Sequence, residues 1–241
     1  VAFLNSGGID FMFELEEFIE WLPERVIAGA YANGKWPSGL RLHQELIHDL
    51  GLQPAHVKVE RLVERAYQEK LFSLVEFWMQ GRGSRMCDKV TFRTILERLA
   101  HSGSFGCLDR VSLATIDSDP THGLERVWDI LCPIVNTKSK LVAISKCLHH
   151  VFPLSIVPID RKYSQMFYEN CRTGGRKLYN KDFTSSKTLL ELTQIFQEVG
   201  RLAESRLSSG PTGRYYDTSD TKAIDNWIVM WVDYKLGDAV K

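Results

Sequence analysis

From residue 11 to residue 236 the apolar residues return at intervals of three and four, and nowhere do they alternate over the length of a strand. That spacing collects them on one side of an α-helix. Phe11, Leu15, Phe18, Ile19 and Leu22 form the first stripe, and Pro23 breaks it. Asn33-Gly34, Pro37 and Gly39 mark a loop, after which 40–50 is a short helix ended by Gly51. Within 55–79 the apolar set is Val59, Leu62, Val63, Ala66, Leu71, Leu74, Val75 and Trp78, and 88–100 carries Val90, Ile95, Leu96 and Leu99. Further helices are expected at 105–114, at 121–131 with Pro120 at its first position, and at 161–171, 186–206 and 221–236. With no repeat at a fixed period, the expectation is an all-α protein of roughly nine or ten helices.

The stretch around which the others are arranged runs from Leu131 to Tyr163, LCPIVNTKSKLVAISKCLHHVFPLSIVPIDRKY. A turn over 132–137 offers Thr137 as a helix N-cap. Leu141, Ile144, Leu148 and Val151 then share one helical face, and Pro153 and Pro158 end the helix and keep the following connector extended. Asp160 stands where the N-cap of the next helix belongs.

A lysine near a helix start, an apolar helix and then Val157-Pro158-Ile159-Asp160 resembles the second half of the helix-hairpin-helix DNA glycosylase motif. The resemblance covers about thirty residues, and beyond them only the helical character of the chain. It implies two helical lobes around a cleft, with the chain ends folding back onto one lobe. The expected division is 1–120 and 121–241, the first lobe being free to share a core with the C-terminal helices. The same resemblance implies cleavage of an N-glycosidic bond after a modified or damaged base has been flipped out of the duplex, with AP-lyase activity as an extension. Asp160 takes the place of the catalytic aspartate. Lys140, twenty residues upstream, lies close to where bifunctional members carry a nucleophilic lysine. Lys138 competes for that role. Asn136, Thr137, Lys138 and Lys146 are the expected DNA-contacting residues of the motif. Where the family has hairpin glycines, this chain has Pro133, Val135, Asn136 and Thr137. Ser145-Lys146-Cys147-Leu148-His149 also resembles relatives of the fold with no assigned glycosylase activity.

Two basic glycine segments bear on a nucleic-acid partner. Arg82 and Arg85 flank Gly83-Ser84, and Arg172, Arg176 and Lys177 flank Gly174-Gly175 ahead of Tyr179 and Phe183. Such segments wrap a phosphate backbone or simply connect two helices in solvent. Formal net charge is zero, so any basic footprint has to be local. Aromatic residues for a base pocket include Trp36, Trp78, Phe105, Trp128 and Phe152. Trp227, Trp231 and Tyr234 are spaced as core residues of the last helix.

No metal or other cofactor is expected. The five cysteines include no C-x-x-C pair, and His149 and His150, being adjacent, point about 100° apart on a helix. Ser6-Gly7-Gly8-Ile9-Asp10 resembles a pyrophosphate-binding loop, but no alternating strands and helices follow it. No run of eighteen apolar residues and no charged leader is found, so neither a membrane span nor a signal segment is expected, and the location expected is cytoplasmic or nucleoid-associated. Besides a DNA glycosylase, two readings remain open: a non-catalytic nucleic-acid-binding relative of the same fold, and a helical protein of unrelated function.

Overall fold

The computed structural model of the chain describes residues 12–51, 53–79, 86–104, 108, 121–136, 140–173, 176–177 and 185–237. They form an all-α protein. The helices are α1 (Leu15–Trp21), α2 (Arg25–Lys35), α3 (Leu40–Leu46), α4 (Ala55–Val63), α5 (Arg65–Met79), α6 (Lys89–Ala100), α7 (Thr121–Leu131), α8 (Lys140–Val151), α9 (Arg161–Asn170), α10 (Ser186–Leu202), α11 (Glu204–Leu207) and α12 (Asp220–Lys235). Asp88, Asp160, Ser185 and Ser219 are the N-caps of α6, α9, α10 and α12, each accepting from backbone N–H groups of the first turn.

Several boundaries differ from the sequence expectation. Asn33 and Gly34 lie inside α2, which ends at Lys35; the turn begins only at Pro37, in a 3-10 segment. The 55–79 helix divides at Glu64, whose backbone is extended. The break is stitched by Gln68, whose side-chain amide donates to the Leu62 carbonyl at 2.8 Å and so satisfies an acceptor that the interruption would strand. The 40–50 helix turns into a π-helical segment at Ile47–Gly51, and 186–206 divides at Ala203.

A small sheet was not expected. β1 (Phe13–Glu14) pairs in parallel with β2 (Cys171–Thr173), Phe13 opposite Cys171, and β2 pairs antiparallel with β3 (Arg176–Lys177). Two or three residues are too few for alternation to be visible in sequence. Its effect is to tie the start of the described chain to the end of α9, where Phe13 packs at a tilt against Phe167 and edge-on against Trp231.

Packing does not follow chain order. α12 lies most extensively against α2 and next against α9 and α10, while α3 to α6 pack on one another and α7 touches both α6 and α10. One continuous cluster of buried apolar side chains runs through all of it. Its middle is α8, in which every residue from Leu141 to Val151 is buried. A helix covered on all sides normally carries apolar residues all round. α8 instead buries Ser145, Lys146, His149 and His150 as well, so each of those must find a partner inside the protein. Among the described residues no helix is long and apolar enough to cross a membrane.

Candidate functional site

The chain from α8 to α9 is held at nearly every step. His149 Nδ1 lies 2.8 Å from the Ile156 carbonyl. Ser145 Oγ accepts the Ile159 N–H at 3.0 Å, fixing the Val157-Pro158-Ile159 connector against the middle of α8. Ser164 Oγ accepts the Asp160 N–H at 3.0 Å, and Asp160 Oδ1 accepts the Lys162 N–H at 2.8 Å. These reciprocal bonds fix both the backbone and the side chain of Asp160.

Oδ2 of Asp160 faces Lys146 Nζ at 3.8 Å, and beside this pair is a cavity of about 160 Å³. Trp36, Phe77, Trp78 and Tyr216 give it aromatic walls, and Pro158 and Val229 complete the apolar lining. Its polar groups are Lys146, Asp160, Lys222 and Asp225, which are between 4% and 8% exposed. Lys222 and Asp225 form a second ion pair, three residues apart on α12. Each lysine also lies over an aromatic wall: Lys146 Nζ is 5.1 Å from the Trp78 ring centroid and Lys222 Nζ 5.1 Å from that of Tyr216. Burial raises the Asp225 carboxyl above the ordinary aspartate range, the Lys222 ammonium works against that rise, and the charge of Asp160 adds to it. The two carboxylates therefore sense each other across one site.

The walls are placed by backbone. Tyr216 OH donates to the Trp36 carbonyl at 2.7 Å. The preceding Tyr215 has φ of 52°, a left-handed conformation uncommon for a bulky residue. It is held by Asp217, which accepts from Thr212 and is clamped by Arg25 Nε at 2.7 Å. Gly39 provides the room. A Cβ there would stand 3.0 Å from both Phe77 and Trp78 and 3.1 Å from Tyr216 OH, so only a residue with no side chain lets the walls come together.

Behind Trp78 lie three buried histidines. His43 Nδ1 is 2.9 Å from His150 Nε2, and His43 Nε2 is 2.8 Å from Thr218 Oγ1. The His43 and His149 rings are parallel, 5.7 Å apart. Burial pushes all three below the ordinary imidazole range, His150 to about 3. No group of three or more His, Cys, Asp or Glu side chains among the described residues has the arrangement of a metal site.

The sequence candidates distribute unevenly over this site. Asp160 and Lys146 line the cavity, as do Trp36 and Trp78. Lys140 does not: its Nζ lies 2.9 Å from Cys132 Sγ, at the other end of α8. Trp128 and Phe152 are core residues. Asn136 is exposed at the turn before α8. Arg172 stands in β2, at the far end of α9 from Asp160, about 15 Å of helix away. Arg176 and Lys177 form β3 beyond it. Thr137, Lys138, Arg82, Arg85, Phe105 and the 6–10 segment lie outside the described residues.

Sequence reasoning missed Lys222, Asp225, Tyr216, Phe77 and Gly39. A Lys and an Asp three apart on a helix normally signal a solvated pair. The only hint that they are buried was the dense apolar content around them in the last helix. Compared with known proteins, the chain matches no family model, and no curated protein or solved structure is significantly similar to it.

Proposed function

We propose that the protein cleaves an N-glycosidic bond in DNA, with an extruded base held in the aromatic cavity and Asp160 acting on the sugar. The observation that carries this reading is a fixed, buried carboxylate at the edge of a ring-sized cavity walled by Trp36, Trp78 and Tyr216. The reaction must accommodate a departing base and a positive charge growing at C1′. A carboxylate serves both needs, by stabilising the cationic sugar and by activating the attacking water. Aromatic walls suit the flat faces of a base taken out of its stack.

If an amine attacks in place of water, the geometry favours Lys146 over Lys140. Lys146 is the amine beside Asp160, whereas Lys140 is turned toward Cys132. The amine nitrogen would bond to C1′ as the base leaves with the bonding electrons. Loss of the nitrogen's proton and opening of the sugar ring would then give the Schiff base that permits strand cleavage.

The test is base release from a panel of damaged and modified duplexes. Release from at least one duplex, falling by about 10²–10³-fold in Asp160→Asn, is the expected result. Borohydride trapping on an abasic duplex then separates the lysines: trapping should persist in Lys140→Ala and vanish in Lys146→Ala.

One observation favours the non-catalytic relative instead: Asp160 already spends one oxygen on its helix cap and the other on Lys146. Duplex binding at low salt with no release from any duplex would support that reading. Absence of both binding and release would remove both.

A further inference from the structure

The cavity carries a second charged pair for which the cleavage step has no use. Lys222 and Asp225 are buried together on α12, and taking two charges out of water is costly. An apolar pair of similar volume would hold the helix at least as well. The contact they make leaves capacity over: an ammonium has three N–H groups and a carboxylate about four lone-pair positions. A donor and an acceptor in mutual contact are also spaced like the C=O and N–H of a single lactam edge, presented in complementary order.

We propose that Lys222 and Asp225 read the lactam edge of a keto-form base, Lys222 donating to the ring carbonyl and Asp225 accepting the adjacent ring N–H. The assignment rests on the cavity being a base pocket, and it names the class of base. An amidine edge, with an amino group beside a bare ring nitrogen, also offers one donor and one acceptor. Charge separates the two. Charge-assisted bonds gain most from an acidic N–H on the carboxylate and from an electron-rich oxygen on the ammonium, and the lactam supplies both. Tyr216, over which Lys222 lies, supplies the stacking surface at this end of the cavity.

The test is calorimetric titration of the full chain with three small bases in which an N1-methyl group stands for the sugar: 1-methyluracil, 1,3-dimethyluracil and 1-methylcytosine. The lactam base, 1-methyluracil, should bind at least about tenfold more tightly than either of the others. The double variant Lys222→Met/Asp225→Leu removes both charges without leaving one unpaired, and should bring the three within about twofold of one another. Equal affinities in the unsubstituted protein, a preference for 1-methylcytosine, or no binding of any of the three would overturn the assignment. If circular dichroism shows the double variant unfolded, the ranking in the unsubstituted protein decides alone. Base release is scored separately. The ranking without release keeps the lactam assignment and removes the glycosidic reading, while release without the ranking does the reverse.

Discussion

Two regions of this protein bury ion pairs, and they differ in what lies beside them. Along α2, Arg25 meets Asp217 in the turn before α12 and Lys35 meets Asp233 on α12, with Tyr31 OH donating to Asp233. Arg25, Asp217 and Asp233 are enclosed by packed side chains, and Lys35 reaches in from a partly exposed position. Beside α8, Lys146–Asp160 and Lys222–Asp225 are buried nearly as deeply as Arg25–Asp217 but border open space. The first region fixes the register of two helices. The second places the same residue types along the lining of a cavity, where an entering molecule would meet them. Burial of charge does not distinguish a structural clasp from a site, whereas the presence of a cavity does.

The sharpest way to break this comparison is to remove one carboxylate from each region. Asp217→Ala leaves the buried Arg25 guanidinium with the half-exposed Asp220 and the Leu207 carbonyl and opens the turn that carries Tyr216. It should cost about 3 kcal/mol of stability in denaturant unfolding, the low end for a broken buried pair because Asp220 still balances the charge. Asp160→Asn keeps a capping oxygen, and the adjoining cavity lets water reach the Lys146 ammonium it leaves behind, so it should cost less, about 1 kcal/mol. Similar losses for the two variants would mean that the regions do the same work.

Acid acts on the histidine cluster behind the cavity. His43, His149 and His150 have folded-state pKa values below the ordinary 6.5. Between the two values the unfolded chain therefore binds more protons than the native one, and stability falls as pH falls. The stabilisation is complete above pH 6.5 and is lost on acidification toward about pH 3, the folded value for His150. Each histidine that stays neutral contributes about 1 kcal/mol per pH unit. Asp225, whose pKa is raised, has the opposite sign, its contribution declining as pH rises. Melting temperatures at pH 7.5, 6 and 5 should therefore drop steadily, and a flat profile would show that the three rings titrate as if exposed.

A smaller effect sharpens the comparison from the side of the walls. Gly39→Ala should push Phe77, Trp78 and Tyr216 apart by a few tenths of an ångström, at about 1 kcal/mol in stability. Its larger consequence should be weaker binding of small bases in calorimetry. Unchanged affinity would show that the wall spacing does not matter to the ligand.

How much of this could be read in the chain depends on distance along it. Helices announce themselves within a few turns, and α6, α7 and α12 begin and end close to where capping and periodicity place them. α8 was legible as a helix but not as the centre of the fold, because Ser145, Lys146, His149 and His150 read as an outer face until their partners are known. Asp160 stood out because four neighbouring residues make a local pattern. Its surroundings did not: Trp36, Trp78 and Tyr216 come from segments more than forty residues apart, joined only by tertiary packing. Lys140 stood out by its spacing from Asp160 in sequence, but helical geometry sets side chains six residues apart on different faces, and Lys146 is the lysine that arrives at the carboxylate.

The dependence of α8 on the C-terminal segment has a consequence for how the molecule comes into being. Thr218 bonds His43, the partner of His150, Thr221 bonds His149, and Lys222 and Asp225 finish the lining of the cavity, yet all four are made some seventy residues after α8. On the ribosome α8 emerges long before them and must wait with its polar groups wet. The chamber has no existence during most of synthesis, and a ligand can reward only a polypeptide whose final helix has already docked.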